Sequence, residues 1–282
     1  MKVLKALLSL IFTMLLTISL AHAVEIGPNP TSTLLNGDGP FSVSSSSVSS
    51  LACGTGCAGG TVYYPTTAGQ YGVIAVCPGF TGTSSSIAWF ARRLATHGFV
   101  TIAMNTTTTL DYPSSRATQL AAALRYLLNS SSSTIRSRIR TADRGVAGHS
   151  MGGGGTLIAS ANDSTLRVGI PMTPWNTYTS FSSVRVPQMI FGADGDTIAP
   201  YALHARPFYN SLIYPEKAYA LLNNATHFTP NSTDERIGRY GVAFAKRFVD
   251  GDTRYNEFLC GASHTAYATS LRFDTYLSTC PY

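Results

Sequence analysis

The segment GHSMGGGG at residues 148–155 holds the residues of this chain that most directly suggest chemistry. A glycine-rich turn before a helix can bind phosphate through its backbone N–H groups, or it can expose a serine as a nucleophile. A P-loop needs a lysine after its last glycine, and Thr156 stands there instead. A dinucleotide fingerprint needs an acidic residue about 20 residues further on, and the next apolar run leads into Thr173. The pattern G-x-S-x-G therefore favours Ser150 as a nucleophile.

A serine nucleophile needs a base and a residue that orients the base. The segment FGADGDTIAP supplies Asp194 and Asp196 just after a predicted strand, and the segment NNATHF supplies His227 just after the next one. Because the carboxyl ends of parallel strands meet at one edge of a sheet, we expect these side chains to approach Ser150 there. The chain order Ser, Asp, His is typical of a nucleophile on a strand–turn–helix. On this reading His227 is the base, and one of the two aspartates orients it.

The other histidines fit the role of the base less well. His149 directly precedes the nucleophile and should line the cleft. The remaining ones lie at the N-terminus, in or at the end of predicted helices, or in the tail: His22, His97, His204 and His264. Attack on a carbonyl group places negative charge on its oxygen, which two backbone N–H groups must stabilise. We expect these donors to be Met151 and, in the loop PGFTG, Phe80.

Strands and helices alternate along the chain and must position these residues. The outer strands are predicted in FSVSSSSVSS and GGTVYYP, and the inner strands in YGVIAVCPG, FVTIAMNT, RGVAGH, RVGIPMTPW, VPQMIFGADGD and KAYALLNNA. Helices are predicted in SSIAWFARRLATHG, SSRATQLAAALRYLLN, MGGGGTLIASAN, APYALHARPFYNSL and ERIGRYGVAFAKRFVDG. This alternation predicts an α/β fold with a mostly parallel central sheet and helices on both faces. No insertion is long enough to form a large lid.

Residues 1–23 have the layout of a secretory signal peptide, with Lys2 and Lys5 before an apolar run that ends near Ala23. The apolar run is about 15 residues long, whereas a membrane-spanning helix needs roughly 20, so a signal peptide is favoured over a membrane anchor. We predict cleavage after Ala23, a single domain over residues 24–282, and a secreted protein, either extracellular or periplasmic.

The composition limits the partners that this protein can have. The formal net charge is +6, and only 12% of the residues are charged. The basic residues form no dense stripe, so nucleic acid is not an expected partner. No segment after the N-terminal run is long and apolar enough to span a membrane. We expect a monomer.

The chain has five cysteines, and export would permit disulfide bonds. Cys260 and Cys280 lie in the tail and could close a loop there. Cys53 and Cys57 lie in ACGTGCAGG, whose glycines would let a small loop close. Zinc binding by this second pair is an alternative, although no further Cys/His pair has a supporting spacing. Cys77 lies in an apolar run and is expected to be a buried free thiol.

Segments spread over nearly all of residues 24–282 resemble one known family. The chain resembles the bacterial cutinases and polyester hydrolases, a group of the α/β-hydrolase fold that includes the poly(ethylene terephthalate) hydrolases. The matching segments are GPNPT, TVYYPT, PGFTGTSSSIAWFARRLATHGFV, PSSRATQLAAAL, GHSMGGGGTL, TPW, GADGDTIAP, NNATHF and DTRYNEFLC.

The resemblance implies roles for particular residues. It implies the catalytic triad Ser150, Asp196 and His227, with Asp196 rather than Asp194 as the acid. It implies an oxyanion hole at Phe80 and Met151, and an open, shallow cleft that has these further lining residues: His149, Trp175, Ile198 and Phe228. It implies no cofactor. Relatives from thermophiles bind Ca²⁺ near this face, and Asp194 is the one candidate ligand here, but Asn223 stands where a second acid is expected.

Together these observations predict a secreted serine esterase that hydrolyses carboxylic esters through an acyl-enzyme, with cutin-like or synthetic polyesters, including poly(ethylene terephthalate), among its substrates. The alternative is a triacylglycerol lipase or short-chain carboxylesterase without useful activity on polymers. Two further hypotheses are a binding protein that keeps this fold without turnover, and a serine peptidase.

Overall fold

The short apolar runs of the sequence form the strands of one nine-stranded β-sheet in a computed structural model, which describes residues 24–282. The predicted signal peptide lies outside the described residues. The strands are β1 (Val43–Val48), β2 (Gly60–Pro65), β3 (Tyr71–Cys77), β4 (Phe99–Met104), β5 (Ile139–His149), β6 (Val168–Met172), β7 (Gln188–Ala193), β8 (Lys217–Leu222) and β9 (Phe273–Ser278).

The strand order across the sheet is β1-β2-β4-β3-β5-β6-β7-β8-β9. The six strands from β3 to β8 are parallel, whereas β1, β2 and β9 pair antiparallel at the two edges. The prediction of a mostly parallel sheet is thus confirmed. The edge strand β9 was not predicted, because its sequence FDTYLS has only a weak apolar alternation and gains its place by pairing with β8.

Helices cover both faces of the sheet. Along β3, Val73 and Ala75 belong to one buried cluster with residues of the helices over Pro113–Asn129 and Met151–Asn162. Ile74 and Val76 belong to a second cluster, formed with residues of helices on the other face. Both sets are apolar because neither face of the central strands meets water. The helices are α1 (Ser32–Asn36), α2 (Ser50–Cys53), α3 (Ala88–Thr96), α4 (Pro113–Asn129), α5 (Ser133–Arg136), α6 (Met151–Asn162), α7 (Ala205–Ser211), α8 (Glu235–Val249), α9 (Asn256–Leu259) and α10 (Ala262–Tyr267).

One predicted helix is shorter than expected. The sequence predicted a helix with Pro200 in its first turn, but α7 begins only at Ala205. Before it the chain forms a turn, in which the backbone N–H groups of Leu203 and His204 both donate to the carbonyl of Pro200. His204 itself has φ −125° and ψ −86°, which a continuous helix does not allow.

The structure contains two disulfide bonds, Cys53–Cys57 and Cys260–Cys280, and Cys77 is a buried free thiol. Because Cys53 and Cys57 are bonded to each other, their sulfurs are not available as zinc ligands. None of the helices in residues 24–282 is both long and apolar enough to cross a membrane.

We predict that the Cys260–Cys280 bond contributes more to stability than the Cys53–Cys57 bond. The first closes a separation of 20 residues and the second one of 4. Loop-closure entropy then predicts losses of about 3 and about 2 kcal/mol, respectively, when each pair is replaced by serine. Urea unfolding of the two double variants beside the wild type measures both values. An equal or larger loss from the Cys53/Cys57 pair would contradict this assignment.

Candidate active site

Ser150 lies in a sharp turn between β5 and α6, in a backbone conformation that an L-residue rarely adopts (φ 54°, ψ −118°). The turn brings two backbone segments together so closely that no side chain fits between them. A Cβ on Gly148 would lie 2.4 Å from the backbone of Gly152, and a Cβ on Gly152 would lie 2.4 Å from the carbonyl oxygen of Pro78. This is the geometry of a nucleophile elbow.

Two of the three glycines that follow have a different environment from the one expected. A run of glycines after a nucleophile elbow is expected to let the helix start close to the sheet, and here these glycines are Gly153, Gly154 and Gly155. A Cβ on Gly154 would instead lie 2.1 Å from the carbonyl oxygen of Trp175, and one on Gly155 would lie 3.0 Å from Cβ of Arg116 in α4. For these two residues the expectation was wrong, because α6 packs against α4 and the loop after β6.

The structure brings Ser150, His227 and Asp196 into one hydrogen-bonded chain. Nε2 of His227 is 2.8 Å from Oγ of Ser150, and Nδ1 of His227 is 2.8 Å from Oδ2 of Asp196. A carboxylate can only accept, so Nδ1 carries the proton and Nε2 is free to accept from the serine hydroxyl. All three residues are buried, with 4 to 5% of their surface exposed. This is the arrangement that activates a serine nucleophile.

Asp196 is held in its ionised form by a set of donors. Burial by itself raises the pKa of Asp196, but the hydrogen bond from His227 and the N–H groups of Ala199 and Ile198 outweigh it and hold the pKa below its usual range. The two N–H groups donate to Oδ1, which leaves Oδ2 for His227. The carboxylate therefore has a fixed orientation and a constant charge near neutral pH.

The backbone of His227 is held from below by two side chains. Nε2 of His149 and Oγ1 of Thr173 donate to the carbonyl oxygen of His227, at 2.8 and 3.1 Å. Burial, with the nearby His227 as a further cause, lowers the pKa of His149 to about 3, so this ring is neutral. The sequence did not single out Thr173. It has a positive φ of 39°, which its place as the first residue of the TPW segment did not reveal.

Asp194 joins the two loops that carry the acid and the base. Its carboxylate accepts hydrogen bonds from the N–H groups of Gly195, Asn224 and Ala225, at 2.8 to 2.9 Å. Burial alone raises the pKa of Asp194, and these donors lower it below its usual range. In the part of the chain that the structure describes, no group of three or more His, Cys, Asp or Glu residues is arranged to hold a metal ion.

A cavity of about 210 Å³ opens above Ser150 and His227. Its walls include three apolar side chains that are about half exposed: Phe80 (48%), Ile198 (51%) and Phe228 (58%). The buried ring of His149 forms part of the floor. Among residues 24–282, the N–H groups of Phe80 and Met151 find no hydrogen-bond acceptor, so both remain available to a bound oxygen atom.

Trp175 is not among the residues that line this cavity. Its backbone N–H donates to the carbonyl of Ser150 at 2.9 Å, and its ring packs between Tyr112 and His204, with ring centroids 6.4 and 6.1 Å away. Tyr112 is 61% exposed and continues the apolar surface beyond Trp175. The sequence did not identify Tyr112, because only its position before α4 relates it to the cleft.

A larger cavity, of about 520 Å³, lies between α4 and α6 and contains none of the triad residues. Its walls are mainly apolar. The guanidinium of Arg144 lies at its edge and is already paired with Asp163 and Thr165. This cavity is therefore separate from the candidate chemistry.

A mostly parallel sheet that carries a Ser–His–Asp chain at the carboxyl ends of its strands defines the class of the α/β-hydrolases. Over residues 19–281 the chain matches the model of the family described as PET hydrolase-like. The chain belongs to this family, and it is a serine carboxylic-ester hydrolase.

Individual relatives agree with this membership. The chain is 52% identical over 264 residues to "Cutinase est1" of Thermobifida alba, and the aligned region covers 93% of this chain and 88% of that protein. It is 52% identical over 265 residues to "Cutinase 1" of Thermobifida cellulosilytica, with 93% and 100% covered. It is 49% identical over 262 residues to "Bis(hydroxyethyl) terephthalate hydrolase" of Streptomyces coelicolor, with 92% and 82% covered.

We predict that Gly152→Ala lowers both stability and activity. The added Cβ would lie 2.4 to 2.5 Å from the carbonyl oxygens of Pro78 and Cys77, and neither backbone group can move without opening the elbow. We expect a loss of about 3 kcal/mol in the free energy of unfolding, together with a lower kcat. The matched control is Gly37→Ala, where the nearest atom would be 3.8 Å away. Equal behaviour of the two variants in urea unfolding would contradict the argument.

We also predict that His149 makes stability depend on pH. Its pKa is about 3 in the folded protein, against 6.5 for an unperturbed histidine. Below pH 6.5 the unfolded chain binds a proton that the folded protein does not, so stability falls as the pH drops towards 3. The slope for one such group is about 1.4 kcal/mol per pH unit. Urea unfolding at pH 7.5, 6 and 5 should give a flatter profile for His149→Gln; parallel profiles would contradict the assignment.

Proposed function

We propose that this protein is a cutinase-like esterase that hydrolyses polyesters, including poly(ethylene terephthalate), through an acyl-enzyme on Ser150. The observation that carries the proposal is the hydrogen-bonded Ser150–His227–Asp196 chain at the floor of an open apolar cleft. The names of two relatives, cutinase and bis(hydroxyethyl) terephthalate hydrolase, support the same substrate class.

In the proposed mechanism, Oγ of Ser150 attacks the ester carbonyl carbon while Nε2 of His227 takes the hydroxyl proton. The negative charge that forms on the carbonyl oxygen lies against the N–H groups of Phe80 and Met151. The C–O bond to the alcohol then breaks, and His227 returns its proton to the leaving oxygen. A water molecule, deprotonated by His227, attacks the acyl-enzyme in the same way and releases the acid.

The shape of the site favours long chains over small, enclosed ligands. Phe80, Ile198 and Phe228 expose about half of their surfaces around the cavity, and Tyr112 extends this surface past Trp175. Burial of apolar area contributes roughly 25 cal/mol per Å², so an apolar chain can bind along such a surface without being surrounded. A chain segment at the surface of a solid polymer can bind in this way.

The mature protein is proposed to begin after Ala23 and to act as a secreted monomer with one domain over residues 24–282. A contact of Val24 supports this boundary, because its N–H donates to the carbonyl of Asp250 at 2.8 Å and so ties Val24 to the end of α8. N-terminal sequencing of the exported protein and its elution volume on size exclusion would test the boundary and the oligomeric state.

The predicted outcome for function is release of soluble aromatic acids from an amorphous poly(ethylene terephthalate) film, with faster hydrolysis of 4-nitrophenyl butyrate in solution. The film products are measured by liquid chromatography. Ser150→Ala should reduce both activities by at least about 10⁴-fold, because the nucleophile is lost. The variant is also the control for release without catalysis.

Two results would separate the alternatives. Hydrolysis of tributyrin and 4-nitrophenyl butyrate without any product from film or cutin would contradict the polymer substrate and favour a lipase or short-chain esterase. Full activity of Ser150→Ala on the soluble ester would contradict the role of the serine.

A further inference from the structure

Arg116 is a fully buried arginine next to the loop that carries Phe80. Its guanidinium donates hydrogen bonds to three backbone carbonyls: that of Asp111 at 2.8 Å, that of Pro78 at 2.9 Å and that of Thr109 at 3.0 Å. All three acceptors lie in the loops that follow β3 and β4. A lysine has no planar fork and could not satisfy the three in this arrangement.

These bonds hold the chain both before and after Phe80, which is the expected oxyanion donor. Pro78 lies two residues before Phe80 and is bonded directly. Thr81 follows Phe80, and its N–H donates at 2.8 Å to the carbonyl of Thr109, which also accepts from Arg116. Thr81 has φ 59°, a conformation that persists only when its surroundings enforce it.

Within residues 24–282, Arg116 forms no salt bridge with a carboxylate. The carboxylate of Asp111 accepts instead from Gln119, Thr107 and Thr108. The guanidinium charge is thus buried, and its three backbone partners are carbonyl dipoles. Its field extends into the active site: burial is the main cause of the low pKa of His149, and the charge of Arg116 acts in the same direction.

We propose that Arg116 is a positioning residue of the oxyanion hole, which holds the Phe80 N–H towards Ser150 and favours negative charge on the substrate oxygen. The inference rests on the proposed function. Arg116 does not touch the substrate and acts through Pro78, Thr109 and Thr81. It therefore contributes to the charged transition state and little to the neutral bound ester.

The test compares Arg116→Gln, which removes the charge, with Arg116→Lys, which keeps it without the fork. The quantities to be measured are kcat and KM for 4-nitrophenyl butyrate and the inhibition constant of phenylboronic acid. In that inhibitor, Oγ of Ser150 bonds to boron, the serine proton passes to His227, and the adduct is a tetrahedral anion. We expect kcat to fall about 100-fold for Gln and about tenfold for Lys. The inhibition constant should rise by similar factors, while KM stays within about twofold of the wild type.

The control is Arg239→Gln. Arg239 is also fully buried, but it lies on α8 and donates to Asn36, Ser32 and Ser263. This variant should lower the melting temperature and leave the boronate inhibition constant unchanged.

The inference is overturned if folded Arg116 variants bind the boronate like the wild type, or if Arg239→Gln weakens boronate binding as strongly as they do. If Arg116→Gln does not fold, Arg116→Lys alone decides between these outcomes. A wild type that neither hydrolyses the ester nor binds the boronate would contradict the proposed function instead.

Discussion

The conformation of Ser150 is the constraint on which the rest of the site depends. At φ 54° and ψ −118° the residue is strained, and its backbone must be held by bonds on both sides. Its N–H donates to the carbonyl of Met172, and its carbonyl accepts from Gly154 and Trp175. The strain is not isolated. The four non-glycine residues with positive φ among residues 24–282 all lie at or next to the Ser150–His227–Asp196 chain or the loop of Phe80: Thr81, Ser150, Thr173 and Asn224.

The parallel sheet explains how residues far apart in the sequence reach this one point. Ser150, Asp196 and His227 each follow a strand of the parallel region, so the carboxyl edge of the sheet collects them. Asp194 then joins the acid and base loops, and His149 and Thr173 hold the carbonyl of His227. The result is a buried polar floor beneath exposed apolar walls, which suits ester chemistry on a chain at a surface.

Much of this arrangement could be predicted from the sequence because its signals are local. Apolar runs predicted the inner strands, and G-x-S-x-G with its flanking strand and helix predicted the elbow. Features that arise from contacts between distant segments could not be predicted. The strand β9 depends on pairing with β8, the late start of α7 depends on a turn after Asp196, and the environment of Gly154 depends on the loop at Trp175. The roles of Arg116 and Thr173 are of the same kind, since their partners are backbone carbonyls that carry no sequence pattern.

We infer that the strained elbow and the hydrogen-bonded chain make Ser150 an activated hydroxyl, and the one such group among residues 24–282. Covalent labelling with a 4-nitrophenyl alkylphosphonate, followed by trypsin digestion and mass spectrometry, tests it most directly. The phosphonyl group should appear once per chain, on Ser150 within the peptide over residues 145–167, and labelling of Asp196→Asn should be much slower. An adduct on a different residue, or ester hydrolysis that continues without labelling of Ser150, would contradict the account.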